Sequence, residues 1–534
     1  PRSRPCFSIH RFMMNLSSSR PGRAIGALCF FAGAFIGLRG APTTAVPAAP
    51  PDPIEGQWAG TLSSGDDRVA YGLKIQRNDQ GELAVAQFLP AIHNPGFPLG
   101  TITADGDVYH GALNLTRHGD HLTGAFHDKT ITVSLQRAAT LPLAPPPVAA
   151  PSGPEPLWTY HAGSPFWSAP TIVGGVAILG SADGTLHAVR TSDGHPLWTH
   201  PTGGAIYGNV LAVRDTLFLV NDAGLLLALD RTDGRERWHC DLGGGSVARN
   251  LPANTAPYDF DYQAPTPVLA DGVLYVGAAD GGFHAIEASS GRPLWRFAAG
   301  GKLRTTALVV GDRVVFGALD NFVYALDRKT GALQWRADAG GAVTTTPVLA
   351  GGNLLVGTRG YRLIALRPAD GARTWERFQW FSWVESTPRL VDGVLYLGSS
   401  DNRTVRALDP ADGRTLWSTD INGWAWAQPA VSAGAVFASS AGTADHPSPD
   451  PPEGSFSALD RRTGALKWRR IVPAQRDVYL AGFVGAPAVA GDRVIVGGLD
   501  GVLYAFPTGE KPNASTSAEQ HGASGTADAN PARP

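Results

Sequence analysis

The sequence predicts an all-β protein, an eight-bladed β-propeller preceded by a small antiparallel β-barrel. Glycine (65 residues) and proline (42) are abundant while charged residues make up only 17% of the chain, a balance that favours short strands and tight turns over long helices. One short pattern also recurs seven times, mostly at intervals close to 40 residues. A separate stretch of alternating apolar and polar residues precedes these repeats and indicates half-buried strands.

The recurring pattern is a cassette that ends in tryptophan. In Ala325–Trp335 it reads ALDRKTGALQW, with an alanine, an aliphatic residue, a glycine and the final tryptophan at fixed spacing. We expect the glycine to allow a tight turn and the tryptophan to fill the wedge between adjacent blades. The tryptophans at this spacing, counting one that lacks a preceding repeat, are Trp158, Trp198, Trp238, Trp295, Trp335, Trp375, Trp417 and Trp468.

The intervals between these tryptophans are 40, 40, 57, 40, 40, 42 and 51 residues, the length of one four-stranded blade. The last block of predicted strands, Pro487–Phe506, has no tryptophan after it, and Trp158 has no block before it. Residues 156–160 (PLWTY) are therefore predicted to supply the outer strand of the last blade. This pairing would join the two ends of the propeller and leave no open seam.

The N-terminal residues predict an exported protein. Arg20 and Arg23 precede an apolar run, Ala24–Leu38, that is typical of a signal peptide, and an uncleaved anchor is the alternative. Residues 1–45 are interpreted as an over-extended start followed by this signal peptide. We then expect no transmembrane helix in the mature chain and a location in the periplasm or cell envelope.

The remaining chain divides by composition into two folded bodies, a linker and a tail. The predicted segments are a barrel at 54–137, a linker rich in proline and alanine at 138–154, the propeller at 155–507 and a disordered tail at 508–534. The motif Gly56-x-Trp58-x-Gly60 opens the barrel segment, which resembles the small lipocalin-like barrels of exported bacterial proteins.

One hairpin of the barrel carries histidines. Asn114–Phe126 is predicted to turn at Gly119-Asp120, which places His118 and His121 opposite each other, with His127 further along. Histidines across a hairpin can ligate a metal, but polar residues are expected beside any exposed turn. His118 and His121 are therefore weak metal candidates, and no metal site is predicted.

A binding site in a propeller is expected at its axis, where the innermost strands converge. Residues three and five positions before each inner strand share one face and should form a ring around that axis. We call its aromatic and charged members the axial ring: Trp167, Tyr262, Lys302, Arg304, Trp383, Glu385, Trp424 and Trp426. These side chains suit the stacking of a planar anionic ligand or the binding of an extended peptide, and alternatively the tryptophans simply fill the channel.

Two long insertions interrupt the repeats. Residues 243–262 lead directly into the axial ring and are the better candidate for a lid or specificity loop, whereas residues 441–454 lie between strands. Asp259 and Asp261 end the first insertion and form the nearest approach to a catalytic acid pair, although acidic residues in loops are usually solvated. Cys240, the only cysteine of the predicted mature chain, is expected to be buried and inert.

The cassette resembles the tryptophan-docking motif of the quinoprotein propellers, the PQQ-like repeat family, over about residues 155–507. That family includes pyrroloquinoline quinone (PQQ) alcohol dehydrogenases and non-catalytic scaffolds such as BamB. The dehydrogenases carry two adjacent cysteines beside the quinone, and this chain has no Cys-Cys pair. Their calcium ligands and catalytic aspartate cannot be placed here residue by residue. The resemblance therefore implies a BamB-like protein rather than a full dehydrogenase.

The predicted function is that of an exported scaffold that binds an envelope protein or a small anionic ligand, with no catalytic residues. The alternative is a PQQ-dependent, calcium-assisted alcohol dehydrogenase-like oxidoreductase, with Glu385 as a calcium ligand and Lys302 or Arg304 on the quinone carboxylates. A net charge of −2 gives no electrostatic reason to bind nucleic acid. A serine-hydrolase triad finds no support, because the chain contains no Gly-x-Ser-x-Gly stretch.

Overall fold

The computed structural model describes residues 52–126, 130–253, 260–446, 450–472 and 479–510. The chain divides into two compact units between Ala144 and Pro145. The predicted signal peptide, most of the predicted tail, His127 and Asp259 lie outside the described residues. No helix within the described ranges has the length and apolar character needed to cross a membrane.

The first unit is a closed antiparallel barrel of eight strands in which β1 pairs with both β2 and β8. Ile131, Val133 and Leu135 of β8 are buried while the residues between them are exposed, as the alternation predicts. Trp58 of β1 is fully buried, and its Nε1–H donates to the Ile54 carbonyl at 2.8 Å. The strands are β1 (Gly56–Ser64), β2 (Asp67–Arg77), β3 (Leu83–Leu89), β4 (Asn94–Asp105), β5 (Val108–His110), β6 (Leu113–His118), β7 (His121–Phe126) and β8 (Ile131–Arg137), with a 3₁₀ turn at Pro90–Ile92.

The second unit contains eight antiparallel sheets, so the predicted all-β fold with an eight-bladed propeller is confirmed. The first four blades are β10–β13 (Thr171–Val173, Val176–Gly180, Thr185–Arg190, Pro196–Pro201), β14–β17 (Leu211–Val213, Thr216–Val220, Leu225–Asp230, Glu236–Asp241), β18–β21 (Val268–Ala270, Val273–Gly277, Gly282–Glu287, Pro293–Ala298) and β22–β25 (Leu308–Val310, Arg313–Gly317, Phe322–Asp327, Leu333–Asp338). The next three are β26–β29 (Val348–Ala350, Asn353–Thr358, Arg362–Leu366, Arg373–Phe378), β30–β33 (Arg389–Val391, Val394–Gly398, Thr404–Leu408, Thr415–Asp420) and β34–β37 (Ala430–Val431, Ala435–Gly442, Ser455–Asp460, Leu466–Ile471), the last with a short added strand β38 (Ala481–Gly482).

The eighth blade is built from both ends of the propeller segment. Strands β39 (Ala488–Ala490), β40 (Arg493–Gly497) and β41 (Val502–Pro507) are completed by β9 (Trp158–His161). Ala505 of β41 faces Trp158 of β9, the same alanine–tryptophan pairing that Ala325 and Trp335 make inside the fourth blade. The predicted closure by residues 156–160 is therefore confirmed.

Seven of the eight cassette tryptophans pack on a glycine that belongs to the following blade. The Trp335 indole lies against Gly371, where an added Cβ would come within 2.6 Å of the ring, and its Nε1–H donates to the Pro368 carbonyl at 3.1 Å. Gly371 has a φ of +71°, so the turn needs glycine both for its conformation and for the space left to the indole. The cassette thus links one blade to the next.

The last link in this series is supplied by a segment that we call the strap, residues 148–155. Trp468 of the seventh blade packs on Gly153, because the eighth blade has no cassette of its own to provide the glycine. Ser152 pairs with Arg469 in parallel, and Arg470 forms a salt bridge with Glu155 at 2.6 Å. Most of the strap comes from the predicted linker, so these linker residues pair with the outer edge of the seventh blade.

Candidate functional site

The connecting segments between blades place the axial ring. We call the segment that runs from the outer strand of one blade to the inner strand of the next a joint. At the joint before the fourth blade, Leu303 N–H donates to the Ala278 carbonyl at 3.2 Å, and Leu319 N–H donates to the Lys302 carbonyl at 3.0 Å. The same two bonds occur at seven of the eight joints in the described structure, where they fix the backbone beside the axis.

Aromatic members of the axial ring contact one another across the propeller. The rings of Trp424 and Trp426 are stacked with centroids 5.3 Å apart and an interplanar angle of 6°. Tyr262 stacks on the other side of Trp426 at 5.2 Å, and Trp167 lies 6.0 Å from Tyr262. These residues come from the joints before the first, third and seventh blades, so their contacts cross the axis. The side chains expected to stack on a planar ligand therefore stack on each other.

A second set of contacts surrounds Glu385, whose side chain is only 1% exposed. Its carboxylate accepts hydrogen bonds from Arg359 Nε at 2.5 Å and from the Tyr262 hydroxyl. The Arg359 guanidinium in turn lies 4.6 Å above the centre of the Trp383 ring. Burial and then the charge of Glu385 raise the pKa of Tyr262 well above its usual value, so the phenol stays protonated as the donor.

A third set of contacts neutralises the predicted cations of the axial ring. Asp261 is buried and accepts hydrogen bonds from Lys302 Nζ at 2.8 Å and from Arg304 Nη2 at 2.9 Å. Burial alone would raise the pKa of Asp261, but the Lys302 hydrogen bond and the Arg304 charge outweigh it and hold the pKa below its usual value. Asp261 is thus an ion-pair partner within the structure.

The insertion at 243–262 also supplies a residue that sequence reasoning missed. Arg249 pairs through Nε with Asp222 at 2.7 Å, donates to the Gln263 carbonyl at 2.7 Å, and lies 4.1 Å above the ring of Tyr207. Nothing in the repeat pattern marks Arg249, because it lies in an insertion that the other blades lack. These bonds hold the insertion against the joint that it enters.

Tyr207 is also missing from the predicted ring, and the reason is a shift of one residue. Counting back three residues from Asn209 predicts Ile206 as the second-blade member. The joint bonds instead place Ile206 between the blades, and Tyr207 lies beside Trp167 at 5.7 Å. Counting from Val210 would have found Tyr207.

The remaining candidate residues lie apart from the axis. His118 and His121 face each other across the end of their hairpin, and both are exposed. Within the described ranges no three His, Cys, Asp or Glu side chains are grouped so that they could hold a metal ion. Cys240 is buried, and burial raises the pKa of its thiol, which disfavours the reactive thiolate.

The residues assigned to PQQ and calcium under the alternative function do not fit those groups. Glu385 already accepts hydrogen bonds from the Arg359 cation and from Tyr262, which leaves its carboxylate satisfied without a calcium ion. Lys302 Nζ and Arg304 Nη2 already donate to Asp261, so these two groups are not free for the quinone carboxylates. Binding of the quinone there would require these buried pairs to break.

Comparison with known proteins gives a consistent family match. A family model described as outer membrane protein assembly factor BamB matches residues 148–257, 242–380 and 379–532. A search of curated proteins finds no match.

Solved structures with a related fold include the quinohemoprotein alcohol dehydrogenase ADHIIG from Pseudomonas putida HK5, at 13% identity over 67% of this chain and 77% of that one, with a TM-score of 0.50. Sqt1 of Saccharomyces cerevisiae is 13% identical over 68% of this chain and all of its own, with a TM-score of 0.51. BamB from Moraxella catarrhalis is 14% identical over 76% and 95%, with a TM-score of 0.34. At 13% identity, the alcohol dehydrogenase and Sqt1 show only that this chain shares their fold.

Proposed function

The chain belongs to the family of outer membrane protein assembly factor BamB, and on that premise we propose that it is a non-enzymatic scaffold of the cell envelope. The scaffold binds an envelope protein or a small anionic ligand. Its location follows from the family and from the apolar run at Ala24–Leu38, which precedes the described residues.

The observation that carries this proposal is the internal pairing of the axial ring. A catalytic site needs polar groups that are free to act on a substrate, and such groups often have strongly shifted pKa values in an open cleft. Here Glu385, Lys302 and Arg304 have partners in the protein, and Trp424 and Trp426 are buried in a stack. A rigid, filled axis supports a role in which the outside of the propeller presents binding surfaces.

Affinity capture with photo-cross-linking tests this proposal. The protein, with a photoreactive residue at an exposed position such as Ser246 or Leu416, is incubated with envelope extract of the source organism and irradiated. We expect a defined cross-link to one envelope component that saturates and is competed by excess unlabelled protein. The matched control carries the photoreactive residue on the buried Leu326, which should give no adduct while the fold is intact. An absence of saturable adducts from all exposed positions would refute the scaffold role.

A further inference from the structure

One joint of the propeller lacks the backbone bonds that the other seven share. Between the second and third blades, the equivalent bonds would run from Ala279 N–H to the Tyr262 carbonyl and from Gln263 N–H to the Asn221 carbonyl. Neither is formed. This joint is also the one that receives the 243–262 insertion, and a small crevice lined by Val220, Ala279 and Arg304 lies beside it.

The sequence explains why this joint stays open. In the other seven joints an apolar residue packs against the second strand of the preceding blade, near the end of that strand. The strand residue at this contact is a glycine in six of the seven joints. At Gly317, for example, an added Cβ would come within 2.1 Å of Val343. The second blade has Val220 in place of that glycine, and the wedge position is occupied by Gln263, whose Nε2–H donates to the Glu385 carbonyl at 3.2 Å. Val220 therefore has a side chain where six other blades have a glycine, and it belongs to the apolar cluster that includes Val276 and Ala278 of the third blade.

The unused polar groups in this crevice are hydrogen-bond donors. Ala279 lines it, and its backbone N–H has no acceptor among the described residues. Arg304 also lines it and is 5% exposed, yet only Nη2 has an acceptor, while Nε is buried without one in the described part of the chain. Ala279 is half-buried, whereas a buried donor such as Arg304 Nε is costly without an acceptor, and a ligand that accepts hydrogen bonds relieves that cost.

The acidic groups near the crevice are already in use. Both oxygens of Asp222 accept from Arg249, and Asp261 accepts from Lys302 and Arg304. Two further carboxylates lie at its edge: Asp280 pairs with Arg296 at 2.9 Å, and Asp241 accepts from the Gly243 N–H at 2.8 Å. The crevice therefore lacks a hydrogen-bond acceptor. A planar carboxylate group matches the donors of an arginine guanidinium best.

We propose that this open joint is a binding site for a carboxylate group, held by Arg304 and the Ala279 N–H. The proposal rests on the proposed binding role and names the chemistry of one ligand. A glutamate or aspartate side chain, a peptide C-terminus and a free carboxylic acid share this chemistry.

Calorimetric titration with three probes tests the site and separates the sources. Capped tetraglutamate offers only side-chain carboxylates, acetylated tetra-alanine acid offers only a C-terminal carboxylate, and acetate offers the free group. We expect saturable binding of at least one probe and competition by acetate. No binding of any probe would overturn the proposal, as would competition by inorganic phosphate but not by acetate.

Three variants locate the binding. Arg304→Gln should weaken it at least tenfold, about 1.4 kcal/mol. Lys302→Gln removes the same charge from a residue outside the crevice lining and should change it less than threefold. The double variant Val220→Gly/Gln263→Leu restores the usual joint and should abolish binding with an unchanged melting temperature.

Equal losses in the two charge variants would mean general attraction to positive charge and would overturn the assignment. Unchanged binding in the restored joint would do the same. Capture of an envelope protein is measured in parallel on Arg304→Gln. If capture persists while probe binding is absent, the carboxylate site is wrong and the scaffold role stands. If capture fails even for the wild type, the scaffold role fails, whatever the probes show.

Discussion

The hydroxyl of Tyr262 donates a hydrogen bond to the buried carboxylate of Glu385, although 123 residues separate the two in the chain. The bond joins the segments that lead into the third and sixth blades and therefore crosses the propeller axis. Asp261, the residue before Tyr262, is held by Lys302 and Arg304 of the joint before the fourth blade. Two adjacent residues of one insertion thus fix the ring from two sides.

Removing Glu385 from this arrangement should destabilise the protein strongly. Glu385→Gln leaves the Arg359 guanidinium buried without its counter-charge, which we expect to cost about 3–5 kcal/mol of unfolding free energy. Tyr262→Phe removes only one donor and should cost about 1–3 kcal/mol. Urea unfolding measures both. Tyr324→Phe is the control, because the same kind of hydroxyl–carboxylate bond to Asp320 lies in a partly buried setting and should matter less.

The docking tryptophans should contribute to stability through packing. Trp335→Ala empties the space between the fourth and fifth blades and is expected to cost about 3–5 kcal/mol. Leu333→Ala, in the same strand but 46% exposed, should change the unfolding free energy by less than about 0.5 kcal/mol. Similar midpoints for Trp335→Ala and wild type in chemical unfolding would argue against the docking role.

The strap should be needed for full closure of the ring. Removal of residues 1–144 takes away the first unit and leaves the propeller's melting temperature unchanged. Removal of residues 1–155 also takes away Gly153 and Glu155, so the melting temperature should fall, and removal of residues 1–161 should lower it further by deleting β9. Scanning calorimetry of the three proteins gives the order, and identical values for the first two would show that Gly153 is dispensable.

Acid should destabilise the third blade through His284. Burial, with a smaller effect of the Arg296 charge, lowers the pKa of His284 to about 4. The unfolded chain takes up this proton near its ordinary pKa of about 6.5, so stability is lost as the pH falls from there toward the folded value. Between about pH 7 and pH 4.5 this residue should account for roughly 2 kcal/mol.

The measurement for His284 is the difference between the pH profiles of wild type and His284→Asn in urea unfolding. The variant should show a flatter profile on the acid side. His195→Asn, at an exposed turn, serves as control and should keep the wild-type slope. Parallel profiles for wild type and His284→Asn would show that His284 does not remain neutral in the folded protein.

Local patterns predicted much of the fold because each blade repeats the same physical solution. Alanine–tryptophan pairing and glycine turns depend on residues a few positions apart, so the blade count and the closure at Trp158 were both predicted and are confirmed. The role of Gly153 was not predicted, because it contacts Trp468 from the far end of the sequence. A repeat that is split between two ends cannot be seen as a local pattern.

The axial ring shows the same limit. Counting from the inner strands indicated Tyr262, Trp424 and Trp426 as neighbours, and the structure brings their rings together. Their use in ligand binding stays a prediction. The partners Asp261 and Arg359 were not foreseen as such, because ion pairs across the axis join residues of different blades and leave no periodic signal. The sequence predicted the cations Lys302 and Arg304 but not the ion pairs with Asp261 that neutralise them.

Because contacts within the protein already occupy the axial ring, we predict that the ring does not work as a quinone site. Dye reduction by the purified protein, supplied with PQQ and calcium and given a panel of alcohols, tests this most directly. We predict no turnover above that of the heat-unfolded protein. Sustained alcohol-dependent dye reduction above that of the heat-unfolded protein would contradict this prediction.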